Sequence, residues 1–76
     1  MSWGAAAGVR LVLRHASHAL TVEEIYEAMG RVQTKDDVLN RVLSMLRRGE
    51  VERSEQRPFT YCLTHAAVLR LAHGTT

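Results

Sequence analysis

Two amphipathic segments lie so close together in this chain that their spacing decides most of what it can fold into. The first, TVEEIYEAMG, opens with Thr21 and Glu24 in the positions of a capping box, and Leu20 and Ile25 occupy the two positions of a hydrophobic staple. Val22, Ile25, Tyr26 and Met29 then fall on one face, and Gly30 marks the stop. The second segment, TKDDVLNRVLSMLRRG, runs from Thr34 to Gly49 and reads as about four turns of helix. Val38, Val42, Met45 and Leu46 share one side, widened by Leu39 and Leu43. Asp37, Asn40, Arg41, Ser44, Arg47 and Arg48 share the other. Thr34 followed by Asp37 is a weaker form of the same cap, because Asp is shorter than Glu. Arg47 and Arg48 suit the carbonyl end, and Gly49 accepts the left-handed residue that ends the helix. Only Arg31, Val32 and Gln33 connect the two, so the helices must cross at a steep angle.

The flanking sequence supplies what buries these faces. From about Gly4 to His18 the chain reads as a first helix, with Ala5, Val9, Val12, Leu13 and Ala16 at spacings of three and four. Gly8 weakens its first turn and moves the expected start nearer Val9, Trp3 is expected to pack across its start, and Arg10 and Arg14 read as a solvated face rather than a nucleic-acid contact. Ala19 and Leu20 form an extended link long enough for one or two strand pairings. After Gly49 the pattern changes. EVERSEQ alternates, with Val51, Arg53 and Glu55 on one side and Glu50, Glu52 and Ser54 on the other. FTYCLT alternates again, with Phe59, Tyr61 and Leu63 on one side. These predict a β-hairpin with Pro58 at the loop edge, where its missing N–H costs little. Ala66 to His73 predicts a short last helix, with Thr64 as its cap, Val68, Leu71 and Ala72 on one face and Gly74 as its stop. The fold class expected is α+β, mostly α, in a single domain spanning 1–76.

Composition narrows the function. Hydrophobic residues make up 46% of the 76, enough for a small packed core. No apolar run approaches the roughly 20 residues of a membrane span. The N-terminus has no basic region before its apolar part, so no signal peptide is expected. One cysteine, Cys62, forms no internal disulfide, which favours a cytoplasmic protein without a membrane partner. A net charge of +2 permits a polyanionic partner without demanding one. Glu23, Glu24 and Glu27 make the middle acidic, and Arg41, Arg47, Arg48, Arg53 and Arg57 make the later part basic. There is no G-x-S-x-G, no glycine-rich phosphate loop and no H-E-x-x-H, so no enzyme and no cofactor are expected. His15 with His18, and Cys62 with His65, have spacings a tetrahedral zinc site tolerates. The weightier reading is that Cys62 is a small buried residue and the histidines are surface residues or caps, with no metal.

In order, the elements are helix, short strand, helix, helix, strand, strand. Together with LTVEEIYEAMG and TKDDVLNRVLSMLRRGEVERSEQRPFTYCLT, and the cadence V-L-x-x-L-x-x-x-G-x-V-x-R followed by Y-x-L-T, this resembles the winged helix-turn-helix family over residues 20–64. The resemblance implies a three-helix core with the hairpin as a wing, binding double-stranded DNA as a transcriptional regulator. Helix three would enter the major groove. Arg41 would fork to guanine, Asn40 would reach adenine, and Asp37 would accept from cytosine, with Ser44 beside them. Gln33, Thr34 and Lys35 would meet phosphate, Arg47 and Arg48 would lie near the backbone, and Arg53 and Arg57 would reach phosphate or a minor groove from the wing. The plainer readings are that Arg47 and Arg48 complement the helix dipole, that Asp36 and Asp37 are ordinary first-turn acids, and that Arg53 pairs across the hairpin. Such small regulators bind palindromic sites as homodimers, here through helix one with Trp3 or through Val68 and Leu71 of the last helix, and a phage or plasmid regulator fits the size. The family also includes protein-binding members, so docking on a transcription or replication machine is the alternative, and RNA binding a weaker third.

Overall fold

The computed structural model describes residues 5–73. Its elements are α1 (Ala5–His15), α2 (Val22–Ala28), α3 (Lys35–Arg47), β1 (Val51–Arg53), β2 (Tyr61–Leu63) and α4 (His65–His73). This is a small α+β domain, mostly helical, with a two-stranded antiparallel hairpin after the three helices. Trp3 and Gly74 lie outside the described residues, as do the side chains of Leu71 and Ala72.

One core unites the elements. Val9 and Leu13 of α1, Ile25 of α2, Val38, Val42 and Met45 of α3, and Val51 and Tyr61 of the hairpin are buried together with Leu20. The inward stripe of α3 is the predicted one, with Val38, Val42 and Met45 at its centre and Leu46 partly buried beside them. Leu39 lies at its exposed edge. Burying such side chains supplies most of the stability, at about 1.5–3 kcal/mol for each large aliphatic one.

The caps form as the sequence predicts. Thr21 Oγ1 accepts from the Glu24 N–H, and Glu24 Oε1 accepts from the Thr21 N–H at 2.9 Å, so two orphan amides of α2 are satisfied reciprocally. At α3 only the Thr34 half forms, its hydroxyl accepting from the Asp37 N–H at 3.1 Å. The turn between α2 and α3 needs left-handed backbone at Gly30 (φ 77°) and also at Arg31 (φ 60°). Arg31 is an uncommon residue there, and its guanidinium bonds back to Glu27 at 2.7 Å.

Four local expectations are corrected. First, α1 stops at His15 rather than His18, because the chain bends through Ser17 and His18 to bring Leu20 alongside Tyr61. Leu20 and Tyr61 exchange both backbone bonds, at 3.0 and 2.7 Å, in a single bridge. Second, α1 begins before Gly8. A Cβ at Gly8 would meet Met29 Cε at 2.8 Å, so this glycine leaves room for the tip of that flexible side chain. Third, the strands are shorter than the alternation suggests. They pair Val51 with Leu63, Glu52 with Cys62 and Arg53 with Tyr61. Beyond them Ser54 closes the loop, its hydroxyl donating to the Gln56 carbonyl and accepting from the Thr60 N–H.

The fourth correction concerns Arg10 and Glu50. Neither belongs to a solvated surface. Glu50 is 8% exposed, and Arg10 grips its carboxylate at 2.7 Å through Nε and 3.2 Å through Nη2. The cause lies at the end of α3. Gly49 is left-handed (φ 76°), its N–H bonds to the Leu46 carbonyl, and the Glu50 N–H reaches back to the Met45 carbonyl at 2.9 Å. That is a Schellman ending, in which the residue after the glycine turns inward. A carboxylate in that position needs a cation, and α1 supplies it.

Candidate functional site

With Val38, Val42 and Met45 turned inward, the helical period turns Asp37, Asn40, Arg41 and Arg48 outward, and all four are exposed. Asp36 and Arg47 flank them and are also exposed. Ser44 lies on the same outward row but is half-buried, and Gln33 in the turn is half-buried too. The Thr34 hydroxyl is committed to the Asp37 amide.

The hairpin loop stands next to this helix. Leu39 of α3 shares an open groove with Pro58 and Phe59 of the loop and with Thr21, Val22 and Glu23 at the start of α2. Phe59 is partly buried against the core. The Arg53 guanidinium sits 4.4 Å from its ring centroid and that of Arg57 sits 5.4 Å away, so one aromatic ring carries two cations. Arg53 does not pair with a carboxylate among the described residues. The ring holds both guanidiniums in place without neutralising them.

The cations of this region divide by partner. Lys35 lies 3.9 Å from Glu23 and 5.6 Å from the Tyr26 ring, and Arg48 lies 3.9 Å from Glu50. Arg41, Arg47, Arg53 and Arg57 are exposed and make no ion pair among the described residues. A polyanion meeting α3 would find Arg41 and Arg47 outside any ion pair among the described residues, and one meeting the hairpin loop would find Arg53 and Arg57 held on Phe59. At α3 it would also find Asp36 and Asp37, which favour the N-terminus of α3 through its dipole and oppose phosphate locally.

The groups singled out for zinc do not converge. His15, His18 and His65 are exposed and Cys62 is half-buried, and the described residues contain no cluster of three or more metal-ligating side chains. No helix among the described residues is long and apolar enough to cross a membrane.

Periodicity missed the Arg10–Glu50 pair, because it treats the residue after a terminal glycine as the start of the next element. The signal that would have found it is the Schellman position itself, where an inward charge requires a partner. No family model matches the chain, and no curated protein or solved structure matches it.

Proposed function

We propose that the chain is a winged helix-turn-helix domain that binds double-stranded DNA, with α3 in the major groove and the hairpin as a wing on the backbone or minor groove. One observation carries the reading: α3 borders the arginine-bearing loop through Leu39, and Arg41 and Arg47 of the helix and Arg53 and Arg57 of the hairpin and its loop are exposed without an ion pair among the described residues. Asn40 and Arg41 are adjacent, exposed and free to take adenine and guanine edges. Arg53 and Arg57, held on Phe59, suit phosphate or a narrow minor groove. Such a domain regulates transcription by occupying its site.

A second reading is supported by Val32, which is 80% exposed in the turn between α2 and α3, and by Asp36 and Asp37 close by. An apolar tip with acids beside it suits a basic protein surface, as on a polymerase.

Selection from a random duplex library at low salt separates the two. The DNA reading expects enriched sequences, affinity that falls steeply with salt, and an Arg41→Ala variant that folds normally but loses about 1–3 kcal/mol of base discrimination. Retention of neither selected nor bulk DNA at low ionic strength sinks it.

A further inference from the structure

The hairpin loop brings two cations to one aromatic ring, and its backbone explains how. Arg53 ends β1 opposite Tyr61, and one step further the Ser54 N–H donates to the Thr60 carbonyl at 2.9 Å. The Ser54 hydroxyl accepts from the Thr60 N–H and donates to the Gln56 carbonyl. These bonds close the loop over residues 55–59, so Arg53 before it and Arg57 within it return to the same place. Phe59 stands there, half-buried and packed against the core. The guanidiniums lie over its ring at 4.4 and 5.4 Å from the centroid, and both arginines are exposed. Glu52 and Glu55 are exposed neighbours in the sequence, yet neither pairs with either arginine among the described residues. A carboxylate in that place would cancel the charge. A ring attracts a guanidinium through its quadrupole and leaves the charge whole.

We infer that Phe59 is a positioning residue: its ring, anchored to the core, presets Arg53 and Arg57 as one two-pronged site for the phosphodiesters of a duplex. The inference rests on the proposal of DNA binding and adds to it the residue that organises the wing. A free arginine samples many rotamers and must give them up when it binds. One already laid on a ring has given up part of that freedom on folding, so less is lost on meeting phosphate. A guanidinium can stack its face on a ring and still offer its edge N–H groups to oxygen. A lysine would keep the charge without that fork. Phe59 itself touches no phosphate and acts only through the two side chains.

One measurement on the full chain needs no DNA. The side-chain proton resonances of Arg53 and Arg57 are expected upfield, under the ring current of Phe59. Phe59→Leu should return them to ordinary positions, with circular dichroism still that of a folded chain. A short mixed-sequence DNA duplex at low salt is the second probe, and here Phe59→Leu should weaken affinity by roughly threefold to tenfold. The slope of log affinity against log salt should stay that of the wild type, because no charge is removed. Arg53→Ala and Arg57→Ala should each flatten that slope. In a chain carrying both of those changes, Phe59→Leu should cost nothing further. Phe59→Tyr keeps the ring and should restore shifts and affinity together. Arg53→Lys with Arg57→Lys leaves Phe59 and both charges in place, so it tests the same point should Phe59→Leu not fold; affinity should again fall at constant slope. Unshifted arginine resonances in the wild type, or a folded Phe59→Leu chain that binds duplex as tightly as the wild type, overturn the inference and leave the DNA reading standing. A wild type that retains no duplex at low salt overturns the DNA reading, and this inference with it.

Discussion

The junction where α1 meets the end of α3 and the outward side of α3 itself use the same chemistry for opposite ends. At the junction, Arg10 is spent on Glu50. The carboxylate is almost fully buried, the guanidinium grips it through two nitrogens, and the pair ties the first helix to the start of the hairpin. That partnership holds the Arg10 guanidinium protonated beyond its ordinary range, chiefly through the Glu50 hydrogen bond. On the outward side, Arg41 and Arg47 extend into solvent without an ion pair among the described residues. Arg48 sits between the two regimes, exposed but within 3.9 Å of Glu50. The chain's modest net charge therefore understates what a polyanion would meet, since its cations are sorted by partner rather than spread evenly.

The strongest way to break this contrast is on α3, where inward and outward residues alternate along one helix. Met45 is 1% exposed, and Met45→Ala should cost about 2–5 kcal/mol in denaturant unfolding. Asn40→Ala, on the outward row, should stay within about 0.5 kcal/mol. Equal losses would mean that the outward row is also packed, and the candidate site would not be a surface.

The junction gives the next largest effect. Glu50→Ala leaves Arg10 facing a partly buried site without its anion and should cost roughly 1–3 kcal/mol, because removing one partner strands the other. The side chain of Arg10 keeps 31% of its exposure, which holds the loss below that of a fully buried pair. Arg47→Ala should be silent in the same melt, within about 0.5 kcal/mol, and should appear only in binding. A silent Glu50→Ala would make the pair a surface contact.

How much of this was legible beforehand differs by region for a physical reason. The caps at Thr21 and Thr34, the glycine stops and the inward stripe of α3 rest on interactions within a few residues, and periodicity reads those directly. The end of α1 is not legible locally, because it depends on where Leu20 must go to meet Tyr61, forty-one positions later in the chain. Arg10 reads as solvent-facing for the same reason: its partner is forty residues away, and nothing beside Arg10 announces it. In the sequence, Phe59 reads as one member of a strand face. Its service as a platform for Arg53 and Arg57 follows from the loop folding back, which alternation cannot express. Site residues were legible as a helical row. Their partners were not.

Caps offer a finer comparison between α2 and α3. Thr21→Ala removes one half of a reciprocal box and Thr34→Ala removes a lone hydroxyl acceptor, and each should cost about 1 kcal/mol. The Thr34 variant should lose somewhat more, because Glu24 still holds the entrance of α2 when Thr21 is truncated, whereas α3 loses its one capping side chain. Thermal melts of the two variants check the order.

Acid titration is the subtlest probe, because it separates the carboxylates of α2 from the rest of the molecule. Glu24 is held below the ordinary carboxylate range chiefly by the Thr21 backbone N–H, and Glu27 chiefly by its hydrogen bond from Arg31. A carboxyl whose value falls on folding binds fewer protons in the native state than in the unfolded chain. Its stabilisation is therefore complete above the ordinary carboxylate value and drains away as pH falls through the lowered one. Both groups are on the surface, so the effect is small and shrinks with salt. Glu24→Gln keeps an oxygen that can accept from Thr21 but cannot titrate, and Glu27→Gln does the same toward Arg31. Each variant should flatten the acid limb of a stability-against-pH curve at low ionic strength, and the double variant should flatten it further. If both curves keep the wild-type slope, the two hydrogen bonds do not distinguish the folded chain from the unfolded one, and α2 is held in place by Ile25 and its neighbours alone.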